Sequence, residues 1–574
     1  MRSSTRTSLI VNAAFAAAAV SAAVACVSTV AASASSADPL RVCPSGCPFT
    51  QVAPALAAAK RGDTVKVAAG TYKGGFTILR SVKLVGAGAR VTTIRGGGPV
   101  VTIGTVSASG KLTVSISGVT ITGGVTHSSP ESVFAYGNKA GVLATGGGVQ
   151  VNPHDIAVGT PETPGATVTI SNSVITGNRV APSATVPSPG GNSCPTGPCP
   201  FNQADGGGIY NGGVMTLRDT AVTDNQASGV NGDGGGIYSD GFPAGGSSLT
   251  LIDSTVSGNQ ALAPTAMVGR FAIGGGIEVG MGGALTVMHS HVNDNRATLT
   301  STLPVMAGGH TIDMVANSGG ILVDDDSPAT IENTTITGNS VTATDPSGPA
   351  NAINAAGSIG DGRLLMRNTV ISHNRVSSTY ATDGVSAPSA TSFDQGGQGG
   401  TFGVSGGGTI SHTQIIDNPS SSTSPDGPTA ENGGLNVFPP SNPPARLLTV
   451  TDSVISGNTA TASSPNGSAT VQGAGIFNAV LLKLDNDQVR DNSATATGRS
   501  GIAEGAGIWN GLAPSTTPVN VTLTLDHTVV THNSLKASAG VTVKGAGLFT
   551  IPPVTLTLSP FTANSPDECS GAPC

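Results

Sequence analysis

One unit recurs ten times in this chain, and its polar positions repeat as strictly as its apolar ones. Examples are VMTLRDTAVTDN, LTLIDSTVSGN and LTVMHSHVNDN. Each copy ends on an asparagine: Asn178, Asn225, Asn259, Asn295, Asn339, Asn374, Asn418, Asn458, Asn492 and Asn533, at spacings of 34 to 47 residues. Repetition at this length means a solenoid, a propeller or an array. Three residues before the Asn stands Val or Ile every time, and eight before it an apolar residue every time, from Ile170 and Ile175 to Leu525 and Val530. Nine before it is Thr in eight of ten copies, Leu365 and Lys483 being the exceptions. That is the period-two alternation of a strand with one apolar and one polar face.

Two further positions carry backbone information. Six before the Asn stands only Asn, Asp or His (Asn172, Asp219, Asp253, His289, Asn333, Asn368, His412, Asp452, Asn486, His527). One before it stands only Gly, Asp or His. These types tolerate positive φ, so each marks a sharp corner between two short strands. Such a unit cannot bury its apolar face alone. Stacked about 4.8 Å apart, successive coils pair in parallel and enclose the aliphatic columns, and the repeated Asn can form a hydrogen-bonded ladder. A β-propeller would need antiparallel four-stranded blades with hairpin turns, which this corner pattern does not favour. A third strand precedes these two, in segments such as GGGIY, GGGIE, SGGIL, GAGIF and GAGIW. The variable length lies on either side of it, for example 180–204 and 239–248. The expectation is loops crowding both edges of this sheet to form a groove.

Composition agrees. Of 574 residues, 10% are charged and 38% hydrophobic, with 81 Gly, 37 Pro, 13 Phe, 5 Tyr and 1 Trp. Helical bundles, collagen and disorder do not look like this. Nucleic acid is a poor partner for 26 basic against 33 acidic residues without a basic block.

The first 37 residues read as an export signal: Arg2 and Arg6, an apolar run from Leu9 to Val30, then small residues, with cleavage after Ala34 or Ala37. A lipid anchor at Cys26 is the alternative. Either way no membrane span is expected in the mature chain; a secreted monomer is the leading expectation and a chain lipid-anchored at Cys26 the alternative. Three local cysteine pairs follow, Cys43 with Cys47, Cys194 with Cys199 and Cys569 with Cys574, each in a Pro/Gly turn suited to a disulfide in an oxidising compartment. No His stands beside them at zinc-ligand spacing. The expected organisation is signal 1–37, an N-terminal cap with a short helix 38–63, a β-helix 64–564 and a disulfide tail 565–574.

On these repeats the chain resembles the right-handed parallel β-helix, or pectin-lyase-like, superfamily, over roughly residues 43 to 564. Its unit is also similar to the passenger repeats of polymorphic outer-membrane proteins. The segment TQVAPALAAAKRGDTVKVAAGTYKGGFTILRSVKLVGAG resembles the opening of pectinesterase-like β-helices, and the resemblance implies a capping helix near Gln51 to Lys60. The fold implied is all-β. Function is not implied, because this architecture hosts lyases, hydrolases, esterases and adhesins. Motifs of the pectinesterase and polygalacturonase kinds are absent apart from the run Asp324, Asp325, Asp326.

Two sets of candidates remain on the third strand. An acidic set, Asp240, Glu278, Asp324, Asp325, Asp326 and Asp361, comes from successive coils and would do acid–base work on a sugar if two of its members stood about 5–10 Å apart; turn residues are the competing explanation. An aromatic set, Tyr210, Tyr238, Phe402, Phe477, Trp509 and Phe549, occupies the outward position one after the inward aliphatic and would stack on pyranose rings, or else on one another. The corner explains His289, His412, His527, His373 and His532, and no metal-ligand set is visible. The leading expectation is a secreted, non-catalytic β-helix binding a polysaccharide or cell-surface glycan, without cofactor. The alternative is a polysaccharide lyase or glycoside hydrolase using the acidic set, with calcium entering only under the lyase reading.

Overall fold

The computed structural model describes residues 38–574 apart from 106–111, 129–141, 154–164, 183–185, 188–192, 195–196, 199, 242–245, 266–269, 302–313, 347–349, 381–399, 426–428, 431–432, 443 and 513–519. The segment 1–37 read as an export signal, with Cys26, lies outside the described residues, as does Cys199 of the middle cysteine pair.

Residues Pro39–Cys574 form one unit, a parallel β-helix of five long sheets. One coil shows the path. Ser248–Ile252 lies in sheet I, Thr255–Ser257 in sheet II, Gln260–Thr265 in sheet III, Phe271–Ile273 in sheet IV and Ile277–Val279 in sheet V, before Ala284–Met288 begins the next coil in sheet I. Among the described residues these sheets hold 15, 14, 13, 7 and 14 strands. Register is in step from coil to coil: Leu251 faces Val287, and Val256 faces Val292.

The corners stand where the sequence puts them. All ten residues six before the Asn have φ between 47° and 59°. All ten residues one before it have φ between 54° and 67°. A third corner opens sheet V, at the first residue of the glycine triplet: Gly206, Gly234, Gly274, Ser318 and Asn354 have φ of 57° to 67°. The inward columns are fully enclosed. Ile170, Leu217, Leu251, Val287 and Ile331 are 0% exposed, as are Ile175, Val222, Val256, Val292 and Ile336. Each such side chain contributes about 1.5–3 kcal/mol on burial.

The asparagines form the ladder. From Asn178 to Asn533 each Nδ2 donates to Oδ1 of the next Asn at 2.9 to 3.1 Å, and the final acceptor, Asn564, is an eleventh member outside the ten-copy repeat. Each Oδ1 also accepts a backbone N–H, as Asn295 Oδ1 does from Asn259. The spare amide proton goes to a carbonyl, as Asn295 Nδ2 to Val256 O. The third residue of the glycine triplet makes room for this ladder. A Cβ on Gly276 would sit 2.6 Å from Gly320 O and 2.9 Å from Asn295 Nδ2.

Among the described residues, the segment after each Asn begins as a strand. Runs such as QALAPT and SVTATD alternate small apolar and polar residues, and sheets III and IV enclose a second core of Ala263, Ala272, Ala297, Leu299, Met314 and Ala316. The expected groove walled by two sets of loops is therefore corrected: on one side of sheet V the wall is a two-sheet fin. Near the C-terminal end, Thr459–Gln472 and Ser493–Glu504 run as single long strands along it.

A helix spans Val52–Ala58, shorter than expected, and Val52, Ala55 and Leu56 are buried beside Leu40–Val42, Thr64–Val67 and Phe76–Ile78. Strand pairing starts at Leu40–Val42 and ends at Cys569–Ser570, which pairs with Leu548 and Phe549. Cys43–Cys47 and Cys569–Cys574 are closed as disulfides, with Cα atoms 5.6 Å and 6.1 Å apart.

Candidate functional site

The elbow between sheets IV and V gathers carboxyl groups from successive coils. Sheet IV ends in register at Asp205 and Asp233 on successive coils. The corner glycines Gly206 and Gly234 then turn the chain, and sheet V begins with the inward Ile209 and Ile237. The next residues point outward, bringing Tyr210, Tyr238 and Glu278 into one column. Just past that strand come Asp240 and, two coils on, Asp324.

These groups are buried and act on one another. Asp205, Asp233 and Glu278 are 3%, 7% and 5% exposed. Burial, then the charge of Asp324, pushes Asp233 up to about 8. Burial, then Asp233 and Asp324, holds Glu278 well above the usual carboxylate range. Burial, then Asp233, does the same to Asp205. Asp324 is half-buried, and burial with the neighbouring Asp325 raises it to about 6. Charged forms are disfavoured in this way by lost hydration and by like charges. Gln203 bridges the two aspartates, donating to Asp205 Oδ2 at 3.3 Å and Asp233 Oδ2 at 3.2 Å. Asp205 Oδ1, Asp233 Oδ1 and Glu278 Oε2 are buried with no partner among the described residues.

At the edge of the cluster the Tyr210 hydroxyl donates to Asp240 Oδ2 at 2.5 Å. The Tyr210 and Tyr238 rings stack 5.7 Å apart at 10°. Burial, then Asp240 and Asp205, raises the Tyr238 phenol well above its usual value, so it stays a hydroxyl.

The acidic set thus divides. Glu278, Asp324 and Asp240 join the cluster. Asp325 stands beside Asp324, raised by burial and by Asp361. Asp326 is an exposed turn residue with φ 60°. Asp361 is a strut: it accepts the backbone N–H groups of Ser441 at 3.0 Å and Asn442 at 2.7 Å and the Ser405 hydroxyl at 3.1 Å. Asp205 and Asp233 are not among the candidates that the repeat pattern singles out, although both sit in the same string, DGGGIY, on adjacent coils. That repeated acid before the third corner was the available signal.

The aromatic set divides too. Phe402 pairs with Gly357 and Leu435 in the inward column and is 0% exposed within the main core; it is not an outward residue. GGTF lacks the extra residue of GGGIY, which shifts the register, and the bare Gly357 below leaves inward volume beside this ring. Ser358, not Gly360, takes the outward place on the coil before it. Phe477 and Trp509 stack 4.5 Å apart at 7° but are only 2% and 4% exposed. Trp509 Nε1 donates to Glu504 Oε2 at 3.2 Å, and its other face meets half-buried Phe549 at 6.4 Å. These rings face one another and the base of the fin.

Among the described residues no group of three or more His, Cys, Asp or Glu converges as a metal cage would, and no helix is long and apolar enough to cross a membrane. No family model and no curated protein matches the chain. Among solved structures it is similar to the A-module of the mannuronan C-5 epimerase AlgE6 of Azotobacter vinelandii, with 13% identity over 87% of this chain and 93% of that one and a TM-score of 0.28. The likeness is loose and is no guide to the chemistry of the elbow.

Proposed function

We propose that this is an exported glycan-acting β-helix whose elbow performs acid–base chemistry on a glycosidic linkage. One observation carries the reading: Asp205 and Asp233, in register on successive coils and bridged by Gln203, are buried with Glu278 and each keeps an oxygen without a partner among the described residues; burial and neighbouring acids push Asp233 up to about 8 and Asp324 to about 6. Near neutral pH Asp233 is a neutral acid and Asp324 an ionised carboxylate. Carboxyl groups driven apart in this way are suited to divided labour: Asp233 delivers its proton to the leaving glycosidic oxygen, and Asp324 serves as base or nucleophile. Tyr238 and the Tyr210–Asp240 pair line the approach, with phenol hydroxyls to hold sugar oxygens. Keeping carboxyl oxygens buried without partners costs stability, which favours a use for them. Hydrolysis fits better than elimination at a uronate, since the described groups acting on these carboxyls are other acids, Gln203 and the Gly234 backbone. Export rests on the N-terminal signature and the two closed disulfides.

The second reading is glycan binding without turnover, favoured by the stacked tyrosines beside acids that are only 3–7% exposed. A panel of neutral, acidic and amine-bearing polysaccharides separates the two. New reducing ends, lost in Asp233→Asn and Asp324→Asn, support hydrolysis. Ultraviolet-absorbing unsaturated products would instead assign a lyase, and binding with no product would leave the passive reading.

A further inference from the structure

We infer that the N-terminal coils carry a docking surface for an anionic polysaccharide, separate from the elbow. The inference goes beyond the proposed function and does not rest on it. Residues 41–95 hold nine lysines and arginines against one acid, Asp63, whereas residues 96–574 hold 31 acidic and 15 basic residues. All nine basic residues are exposed. No run longer than Lys60-Arg61 occurs among them; the coiling gathers them. Arg41 and Lys66 are register partners on the outer face of sheet I, and Lys73 and Arg95 are register partners on that of sheet II. Residues paired in this way stand about 4.8 Å apart. Lys83 lies one strand on from Lys66 and pairs with Thr64, two residues before it. Arg90 stands in the turn that joins the two sheets, so the cations run from one sheet face round the corner to the next.

Like charges directly opposite on neighbouring strands cost stability, and here nothing offsets them. Among the described residues no ion pair engages any of the nine, and Asp63 accepts the Lys60 backbone N–H at 2.7 Å. Protection of an open strand edge does not account for the surface. Charges do blunt such edges, but Lys83–Gly86 and Thr92–Arg95 are paired on both sides. At the opposite end of the solenoid the last strands of sheets I and II, Val554–Thr557 and Phe561–Thr562, bear no charge at all. The chemistry of the surface selects its occupant. Tyr72 and Phe76 are buried and Phe49 is half-buried, so nucleic-acid bases find no stacking platform. The cap helix Val52–Ala58 turns Val52, Ala55 and Leu56 to the core and carries no basic residue, unlike the basic amphipathic helices that lie in a bilayer. Long cationic side chains repeated from strand to strand suit carboxylate or sulfate groups repeated along a glycan, each met by charge-assisted hydrogen bonds.

The test is calorimetric titration of residues 38–574 with polygalacturonate, dextran sulfate, uncharged dextran, oligothymidylate and vesicles rich in anionic lipid, at about 50 mM and about 300 mM salt. The expected result is binding of both anionic polysaccharides and not of dextran, weakened about tenfold or more between the two salt concentrations. Combining Lys66→Gln, Lys73→Gln, Lys83→Gln and Arg95→Gln should weaken that binding about tenfold or more, with a melting temperature equal to the parent's or higher, because the like-charge pairs are relieved. A control combining Arg218→Gln, Arg367→Gln, Arg375→Gln and Lys536→Gln makes the same change in net charge elsewhere on the surface, and should alter affinity by less than about twofold. Equal losses in the two variants would reduce the effect to net charge and overturn the inference. So would unchanged binding by the first variant, which, if accompanied by self-association, would assign the cations to edge protection. Tighter binding of oligothymidylate or of the vesicles than of either polysaccharide overturns the choice of occupant, and no binding of any ligand overturns the surface itself. Reducing-end release at the elbow is decided separately by the polysaccharide panel.

Discussion

The Asn ladder and the acidic elbow are both polar, both buried and both stacked coil upon coil, yet they are built in opposite ways. In the ladder every amide is used. Asn295 Oδ1 takes two donors and its Nδ2 gives two hydrogen bonds, and the group carries no charge. In the elbow three oxygens have no partner among the described residues, and each acid raises the next. Satisfied polar networks rigidify a core, whereas partly satisfied ones store cost. The contrast separates what holds the solenoid together from what is kept ready for a ligand.

The sharpest way to break this comparison is to cut the ladder. Asn295→Ala strips the acceptor from Asn259 and the donor from Val256 O and Asn339, and it should lower stability by about 3–5 kcal/mol, read as a fall in denaturant midpoint. Gly276→Ala attacks the same ladder from the facing corner, where the new methyl meets Gly320 O and Asn295; a loss of about 2–3 kcal/mol is expected.

The elbow should answer with the opposite sign. Its folded-state proton affinity lies above that of the unfolded chain, so the native state holds the extra protons. Stability therefore falls as pH rises from about 4 towards about 8 for Asp233. Asp233→Asn removes that slope, and thermal melts at pH 9 should show the variant about 1–2 kcal/mol more stable than the parent, with no gain at pH 4. The smallest effect concerns Asp487, which stands in a column of hydroxyls: Ser453 N donates to its Oδ1 at 2.7 Å and Asp485 N to its Oδ2 at 2.9 Å, while burial pushes it to about 7. Asp487→Thr restores the residue type found at Thr413 and Thr528, and should stabilise by about 1 kcal/mol above pH 8 and by less near pH 5.

What could be read from the sequence was whatever the backbone imposes at every coil. Positive φ restricts residue type so strongly that both corners stood out as columns of Asn, Asp, His and Gly, and the ladder followed from its Asn. The third corner was hidden because glycine fills it alongside two other glycines with different duties, one of them giving room to the ladder. The fin reads as loops in the sequence because its strands carry alanine and threonine rather than the large aliphatics that announce a core. Phe402 was misplaced because a single-residue slip inverts a strand's faces. Glu278, Asp240 and Asp324 were found from their coil positions, but Asp205 and Asp233 come from sheet IV, whose existence the pattern did not reveal. Sites that assemble across a corner need both arms of it.

The central claim, that buried acids of the elbow remain protonated near neutral pH, is open to direct observation. Infrared difference spectroscopy of the carboxyl C=O band, recorded from pH 5 to pH 9 on residues 38–574 and on the same chain with Asp233→Asn, would follow them. A protonated-carboxyl signal that persists at pH 7, disappears around pH 8 and is diminished in the variant is the predicted result. Complete ionisation of every carboxyl by pH 6, identical in both proteins, would contradict it.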